Sequence, residues 1–274
     1  MLILAATPIG NLADASKRLI QALTEAKVIA AEDTRMVQKL AQGLAIELNA
    51  RLISLNDHNE REKVDQLVAI AQNEDLLLVS DAGMPTISDP GFVLVRAMVQ
   101  AGVEVSVIPG PSAVLAALAV AGLPTDRFSF EGFIPRKESE RQEFFKKLIN
   151  EERTMVFFET ANRLADSITS AKAIFGEQRP ASVSRELTKK FEETFRGSLE
   201  ELAEWANLTP KGELVLVIAG QTEKAAANLT ELVEIVEALR GSGKSLKDAV
   251  AVVAKLAGVS KSALYDQTIA SRAE

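Results

Sequence analysis

The first half of the chain alternates short apolar runs with stretches that have helical spacing. An apolar run bounded by turn residues is typical of a buried strand, and apolar residues three and four positions apart, such as Val64, Leu67 and Val68, are typical of a helix. Strands that alternate with helices predict an α/β fold with an open, mainly parallel sheet covered on both faces. The five predicted strands are Leu2–Thr7, Val28–Ala31, Leu52–Leu55, Leu76–Val79 and Val103–Ile108.

Glycine, proline or acidic residues follow the end of each predicted strand. Because right-handed crossovers bring the carboxyl ends of parallel strands to one edge of a sheet, these turns should meet there, where ligands of such sheets bind. For one turn alone, an ordinary strand-to-helix connection is the favoured explanation; five together predict a ligand site. The turns are Thr7–Gly10, Asp33–Arg35, Asp57-His58, Asp81–Gly83 and Pro109–Ser112.

The rest of the chain has a different pattern. We place a first α/β domain at residues 1–122 and a second at 123–222, where hairpin-like alternation over Phe191–Arg196 predicts a mixed sheet. Strand patterns then cease, and residues 228–274 predict a small C-terminal module similar to a helix-turn-helix. Residues 240–272 carry six basic and two acidic side chains, so this module either contacts RNA or is a bundle that contacts a dimer partner.

The amino-acid composition limits the kinds of functional site that the chain can form. The chain of 274 residues has a net charge of −7, no cysteine and one histidine, which excludes disulfides, thiolate chemistry and a multi-histidine metal site, so we predict no metal. With no leader and no long apolar run, it is expected to be cytoplasmic. Sequences typical of a P-loop, a dinucleotide-binding loop or a nucleophile elbow do not occur. A cleft of glycine and proline turns with a few carboxylates suits a nucleoside-like cofactor.

Eight motifs at these turns and beyond occur together in order, and they resemble one family. That family is ribosomal RNA small subunit methyltransferase I, in the tetrapyrrole-methylase-like superfamily. The resemblance extends from about Leu2 to Gly220, and the C-terminal module resembles the family's helix-turn-helix extension. The motifs are TPIGNL (7–12), AAEDTR (30–35), HNE (58–60), VSDAGMPTISDPG (79–91), PGPSA (109–113), LPTDRFSFEGFIPRK (123–137), SRELTKKFEE (184–193) and KGELVLVIAG (211–220).

The resemblance implies an enzyme that depends on S-adenosyl-L-methionine and acts as a homodimer, with no membrane partner. It implies 2′-O-methylation of the ribose of a cytidine in the decoding region of 16S rRNA, within the small ribosomal subunit. By superfamily analogy, the cofactor lies folded between the two α/β domains. The residues expected to bind it are Pro8, Asp81, Gly83, Met84, Ser112, Ala113, Phe158 and Leu214.

Ribose methylation should be helped by an acceptor for the hydroxyl proton. Four candidates are His58, Asp33, Glu60 and Glu186; alternatively, Asp33 accepts backbone N–H groups in its turn and His58 caps the following helix. Positive charge is needed to contact RNA, and Arg35 either clamps a phosphate or pairs with Asp33. The candidate RNA-binding residues are Arg35, Arg136, Lys137 and Lys189.

Some positions depart from the pattern of the family. Thr86 stands where the family usually has a small or apolar residue, often glycine, and Thr160-Ala161-Asn162 and Phe158 also differ. These departures affect the expected cofactor wall and substrate contacts. Two other functions compete: a methylase of a small, tetrapyrrole-like acid, against which the basic C-terminal module argues, and a non-catalytic protein that binds S-adenosylmethionine or RNA.

Overall fold

The computed structural model describes residues 1–208, 212–221, 229–257 and 259–272. The chain forms two compact units, Met1–Gly220 and Gln221–Glu274. Lys211 of the KGELVLVIAG motif lies outside the described residues, as does the polar, alanine-rich stretch at 225–228 that precedes the C-terminal module. The division of the first unit into domains 1–122 and 123–222 stays a prediction.

The first sheet of the larger unit contains five parallel strands in the order β3-β2-β4-β1-β5. This confirms the predicted open parallel sheet. Its strands are β1 (Leu2–Ala5), β2 (Val28–Ala31), β3 (Arg51–Ser54), β4 (Leu76–Val79) and β5 (Val105–Ile108). The helices of this part are α1 (Lys17–Glu25), α2 (Thr34–Gly43), α3 (Glu60–Asn73), α4 (Phe92–Gln100) and α5 (Ala113–Val120), with a 3-10 helix at Leu12–Asp14.

The register of the sheet places acidic residues side by side. Ala31, at the end of β2, pairs with Val79, at the end of β4. Two residues after these strand ends, the chain reaches Asp33 and Asp81. Strand β1 ends two residues earlier than predicted, because Thr7 leaves the parallel ladder and forms an antiparallel bridge with Gly83.

The second sheet is mixed, as predicted, with the order β6-β7-β10-β8-β9. Strands β6 and β7 are parallel, whereas the other three pairs are antiparallel. The hairpin strand expected at Phe191 begins at Glu193. The strands are β6 (Phe128–Phe133), β7 (Thr154–Thr160), β8 (Pro180–Arg185), β9 (Glu193–Ser198) and β10 (Glu213–Ile218). The helices are α6 (Glu138–Lys147), α7 (Leu164–Phe175) and α8 (Leu199–Ala206), with a 3-10 helix at Ala161–Arg163.

An apolar cluster joins the two sheets. Helix α5 follows the first sheet, yet its Val114 and Ala117 pack with Val156 of β7 and Val215 of β10. Its sequence is apolar all round, with Val114, Ala117 and Leu118 buried and Leu115 exposed. Helix α5 therefore ties the carboxyl edge of the first sheet to one face of the second.

The smaller unit consists of three helices, α9 (Leu229–Gly241), α10 (Leu246–Ala257) and α11 (Lys261–Ala270). Their buried residues, including Val236, Val250 and Leu264, form a separate core. The Ser260 hydroxyl caps α11 by accepting the Ala263 N–H at 3.4 Å. Throughout the parts of the chain that the structure describes, no helix is long and apolar enough to cross a membrane.

Candidate functional site

A cavity of about 380 Å³ lies between the two sheets of the larger unit. We call it the inter-sheet cavity. One wall comes from the loops that follow β4 and β5, and the other from β7, β10 and the turn that follows β8. The residues around it are Ile9, Asp81, Ala82, Gly83, Met84, Ile87, Ser88, Asp89, Ser112, Ala113, Val114, Phe133, Phe158, Glu159, Thr160, Leu187, Gly212, Glu213, Leu214 and Val215.

The loop after β4 is held at its start by the bridge to β1. The backbone N–H groups of Thr7 and Gly83 donate to each other's carbonyl oxygens, at 2.9 and 3.1 Å. The Thr7 hydroxyl also donates to the Ser80 carbonyl at 3.2 Å, and the Ser80 hydroxyl donates to the Gly83 carbonyl at 3.0 Å. Gly83 has φ +81°, a conformation that glycine adopts without steric cost. The first turn of this wall is therefore fixed by four hydrogen bonds.

The middle of the same loop has an unusual backbone. Thr86 has φ 74° and Ser88 has φ 62°, both in the left-handed region that favours glycine. For a β-branched residue such as Thr86 this conformation costs about 1–2 kcal/mol. Thr86 is the residue that stands where glycine is often expected, and its positive φ gives a physical reason for glycine there.

The Glu60 side chain anchors the end of this loop, where helix α4 begins. Its Oε1 accepts the backbone N–H groups of Gly91 and Leu94, each at 3.0 Å. They are two of the four N–H groups at the start of α4 that have no partner within the helix. Glu60 is only 6% exposed, although it was a candidate proton acceptor. This buried carboxylate therefore stabilises the loop that forms one wall of the inter-sheet cavity.

Asp33 is a helix cap that binds Arg35. Its side chain accepts the Arg35 backbone N–H at 2.9 Å and forms a bidentate pair with the Arg35 guanidinium, with Nη2 to Oδ2 at 2.6 Å. The hydrogen bonds from Arg35 lower the pKa of Asp33 to about 2. The backbone N–H of Asp33 in turn donates to Asp81 Oδ1 at 3.2 Å. Both alternatives named for Asp33 and Arg35 therefore occur: a turn cap and a mutual pair.

Several carboxylates share the edge of the first sheet. Burial raises the pKa of Glu32, and the charges of Asp81, Asp57 and Asp33 raise it further. Burial is also the first cause of the raised pKa values of Asp81 and Asp89, and that of Asp89 reaches about 6. Among the residues that the structure describes, no grouping of acidic side chains and histidine could hold a metal ion.

Comparison with known sequences identifies the family. Residues 1–203 match the profile of the Tetrapyrrole (Corrin/Porphyrin) Methylases. The chain is 48% identical to ribosomal RNA small subunit methyltransferase I of Mycobacterium tuberculosis, over 100% of this chain and 96% of the relative. It is 42% identical to the protein of the same name from Escherichia coli O157:H7, over 94% and 91%. The chain belongs to the ribosomal RNA small subunit methyltransferase I family.

Solved structures of other proteins share the fold. Diphthine synthase superposes with a TM-score of 0.60 at 15% identity, covering 81% of this chain and 90% of the synthase. Uroporphyrin-III C-methyl transferase from Thermus thermophilus, solved in complex with S-adenyl homocysteine, gives a TM-score of 0.53 at 19% identity, covering 79% and 95%. At these identities the likeness concerns the fold alone.

The structure of this family member gathers most of the predicted cofactor residues in one place. Seven of the eight surround the inter-sheet cavity; the eighth, Pro8, is buried beside it. After the Thr7–Gly83 bridge the chain turns so that Ile9 faces the cavity, close to Gly83. The turn behind Pro8 thus contributes to the cavity through Ile9, and the role of Pro8 itself stays a prediction.

The four candidate proton acceptors do not line the cavity. His58 is exposed, and the turn it occupies is organised by Asn56, whose Oδ1 accepts the N–H groups of His58 and Asn59. Glu186 accepts Lys189 Nζ at 3.0 Å and the Glu213 N–H at 3.1 Å. Asp33 and Glu60 serve as helix caps, so each of the three candidate carboxylates already accepts hydrogen bonds from other groups of the protein.

The candidate RNA-binding residues are spread over the surface. Arg35 is 82% exposed although it is paired with Asp33, and Arg136 is also exposed. Lys137 pairs with Glu140 at 3.0 Å. Lys189 is tied to Glu186 and Glu213, at 3.0 and 2.9 Å. Its cationic group is thus held by two carboxylates.

The structure adds residues that the sequence did not single out. Glu159 has a fully buried carboxylate at the cavity, balanced by Arg163 Nη2 at 2.6 Å and the Ser167 hydroxyl at 2.6 Å. Leu187 reaches the cavity from a turn in which Glu186 and Thr188 have φ 50° and 68°. A charged residue near the end of the otherwise apolar β7 pattern could have indicated Glu159. No local pattern indicates the turn that carries Leu187, because the positive-φ residues on either side of it are not glycine.

Proposed function

We propose that this protein transfers a methyl group from S-adenosyl-L-methionine to the ribose 2′-hydroxyl of a cytidine in the decoding region of 16S rRNA, with the small ribosomal subunit in the cytoplasm as its substrate. The observation that carries the proposal is the inter-sheet cavity, where seven residues expected to bind the cofactor come together in a chain of this family. The specificity for a cytidine 2′-hydroxyl rests on the resemblance of the motifs.

The cavity fits the cofactor in size and in chemistry. Its volume of about 380 Å³ is in the range of small-molecule sites. Apolar side chains such as Ile9, Phe158 and Leu214 suit the faces of an adenine ring, and the Asp81 carboxylate suits hydroxyl or ammonium donors. A Cβ at Gly83 would make ordinary van der Waals contacts with Ile9 and Pro111, at 3.4 and 3.6 Å, so it is the φ of +81° that favours glycine in this wall.

The cofactor, when bound, supplies an activated methyl group on a sulfonium. The contribution of the chain is to bind it, to exclude water and to align the incoming hydroxyl. The rigid loop from Ser80 to Gly91 serves this role because its start is bonded to β1 and its end to Glu60. Apolar side chains on the opposite wall, including Phe133 and Leu187, shield the reacting centre.

The proposed RNA contacts need positive charge on a protein of net charge −7. Arg35 lies at the same sheet edge as the cavity loop, and its guanidinium is pre-oriented by Asp33 while remaining largely exposed. Arg136, Lys137 and Lys189 are the further candidates, together with the basic C-terminal unit. An acidic protein with a few local cations suits recognition of folded RNA by shape.

We also propose a homodimer. Helix α4 exposes Phe92 and Val99, each at 65%, and these residues lie two turns apart on one face. Exposed apolar side chains arranged in this way are typical of a surface that another protein covers. A second copy of this chain is the occupant that the family resemblance supports, and sedimentation analysis of the purified chain tests it.

A methyl-transfer assay with three substrates tests the proposed function. Tritiated S-adenosylmethionine is incubated with the protein and either small ribosomal subunits, naked 16S rRNA or a porphyrinoid acid. We expect label in the small subunit, released on nuclease digestion as 2′-O-methylcytidine. Label only in the porphyrinoid would favour a small-molecule methylase, and binding of cofactor without any label would favour a non-catalytic binding protein.

A further inference from the structure

Four carboxylates surround the inter-sheet cavity: Asp81, Asp89, Glu159 and Glu213. The transfer of a methyl group to a hydroxyl releases a proton, so one of these groups is well placed to receive it. The hydrogen bonds and ion pairs of each carboxylate show which one is available.

Three of the four are engaged elsewhere. Glu159 is neutralised by Arg163 and bonded to Ser167, and Glu213 pairs with Lys189 at 2.9 Å. Asp81 accepts the Asp33 N–H at 3.2 Å, which places it in the turn where the cofactor is proposed to bind. Of the four cavity carboxylates, Asp89 differs because its charge is faced by other acids and not by a cation.

Asp89 is held rigidly at the cavity wall. It follows Ser88, whose φ is 62°, and it precedes Pro90, whose ring fixes φ near −65°. Glu60 then anchors the next residue, Gly91, at 3.0 Å. The Ser80 hydroxyl donates its proton to the Gly83 carbonyl at 3.0 Å, and a carboxylate has about four lone-pair sites, so Asp89 retains sites for an incoming donor.

We propose that Asp89 is the residue that accepts the 2′-hydroxyl proton of the substrate ribose. This inference rests on the proposed function and names a residue of the same site. In the step, the hydroxyl oxygen forms a bond to the methyl carbon as the carbon–sulfur bond breaks, and the electron pair of that bond stays on sulfur. The O–H bond breaks and its proton moves to the Asp89 carboxylate, so charge and atoms balance.

The charges around Asp89 suit this role. Burial first, then the charges of Glu32 after β2, Asp81 after β4 and Asp57 after β3, raise its pKa to about 6, while the hydrogen bond with Ser80 opposes the rise. Arg35 and Lys63 are cations at this edge, but the Arg35 guanidinium is bound by Asp33 and the Lys63 ammonium donates to the Ser54 carbonyl at 2.6 Å. A carboxylate with a pKa near 6 is ionised at neutral pH and is a stronger base than an ordinary aspartate.

Single-turnover methylation of small ribosomal subunits by the full chain tests the assignment. Asp89→Asn is compared with Asp57→Asn, an exposed acid at the same edge that does not line the cavity. We expect the rate of Asp89→Asn to fall by about 100-fold or more, with unchanged affinity for S-adenosylhomocysteine, and the plateau rate of Asp57→Asn to remain within threefold. A rate of Asp89→Asn within threefold of the wild type would overturn the assignment.

The pH profile provides a readout that a merely structural residue would not affect. The wild-type rate should rise with pH through about 6 and then level off, because Asp89 must be ionised. Glu32→Gln removes a negative charge that raises this pKa, so the rising limb should move to lower pH. A limb that stays in place in Glu32→Gln would contradict the assignment, even if Asp89→Asn does not fold.

A titration of the carboxyl groups makes the test independent of activity. With ¹³C-labelled aspartate, the wild type should show a carboxyl resonance that titrates near pH 6 and is missing from Asp89→Asn. If that resonance persisted in the variant, the assignment of Asp89 would be overturned, whereas the proposed function would be unaffected. A wild-type protein that methylates neither small subunits nor naked rRNA would overturn the proposed function, and the assignment with it.

Discussion

The carboxylate of Glu60 binds the backbone N–H of Gly91 at 3.0 Å across 31 residues of sequence. Gly91 has φ 122°, and its N–H and that of Leu94 open helix α4. Glu60 belongs to the first turn of α3, so this contact joins two helices of the first sheet. It fixes the position of the loop from Ser80 to Gly91, which forms one wall of the inter-sheet cavity.

Removal of the Glu60 carboxylate should destabilise the protein. Glu60→Ala leaves two buried N–H groups without an acceptor, so the free energy of unfolding should fall by about 2–5 kcal/mol. Glu60→Gln retains an amide oxygen and should lose less. Urea denaturation of both variants measures the difference. If Glu60 were instead the proton acceptor, Glu60→Gln would lose methyl transfer while keeping its stability.

Substitutions at Thr86 and Gly91 of the cavity loop should differ in their effect on stability. Thr86→Gly relieves the strained φ of 74° but adds freedom to the unfolded chain, so its stability should stay within about 1 kcal/mol of the wild type. Gly91→Ala should cost more, because an added Cβ would lie 2.9 Å from Leu78 Cδ2. Thermal unfolding of both variants tests this, and equal losses would contradict it.

The Asp33–Arg35 pair should determine how Asp33 titrates. Hydrogen bonds from Arg35 hold the pKa of Asp33 at about 2, below its ordinary value of 3.8. The pair therefore stabilises the fold above the ordinary value, and this contribution is lost as pH falls through about 2. In Arg35→Met the pKa of Asp33 should rise toward 3.8, as measured by carboxyl NMR titration. An unchanged value would mean that the backbone alone lowers it.

The sequence predicted the general architecture because hydrophobic burial determines it locally. The run Leu76–Val79 is fully buried, as a strand at the centre of a parallel sheet must be, and the polar turn after it lies at the ligand edge. The family resemblance then named Asp81, Met84 and Ser112, which the structure places around one cavity. That these residues bind the cofactor stays a prediction.

The remaining features depend on tertiary contacts that no local pattern encodes. Glu60 lies 31 residues before Gly91, whose N–H it accepts. No local pattern could therefore show that Glu60 caps α4, and its motif suggested a proton acceptor instead. Leu187 reaches the cavity because Glu186 and Thr188 adopt positive φ without being glycine. Ile9, in the turn behind Pro8, faces the cavity because the Thr7–Gly83 bridge sets which residue points inward.

The central claim is that the inter-sheet cavity binds S-adenosylmethionine, and calorimetric titration with S-adenosylhomocysteine tests it most directly. Asp81→Ala removes a cavity carboxylate, whereas Asp57→Ala removes an exposed one outside the cavity. Loss of a hydrogen bond to a charged group is worth about 1.5–3 kcal/mol, so Asp81→Ala should weaken binding by about 10- to 100-fold while Asp57→Ala binds like the wild type. Equal affinities for Asp81→Ala and the wild type, with both proteins folded, would contradict the claim.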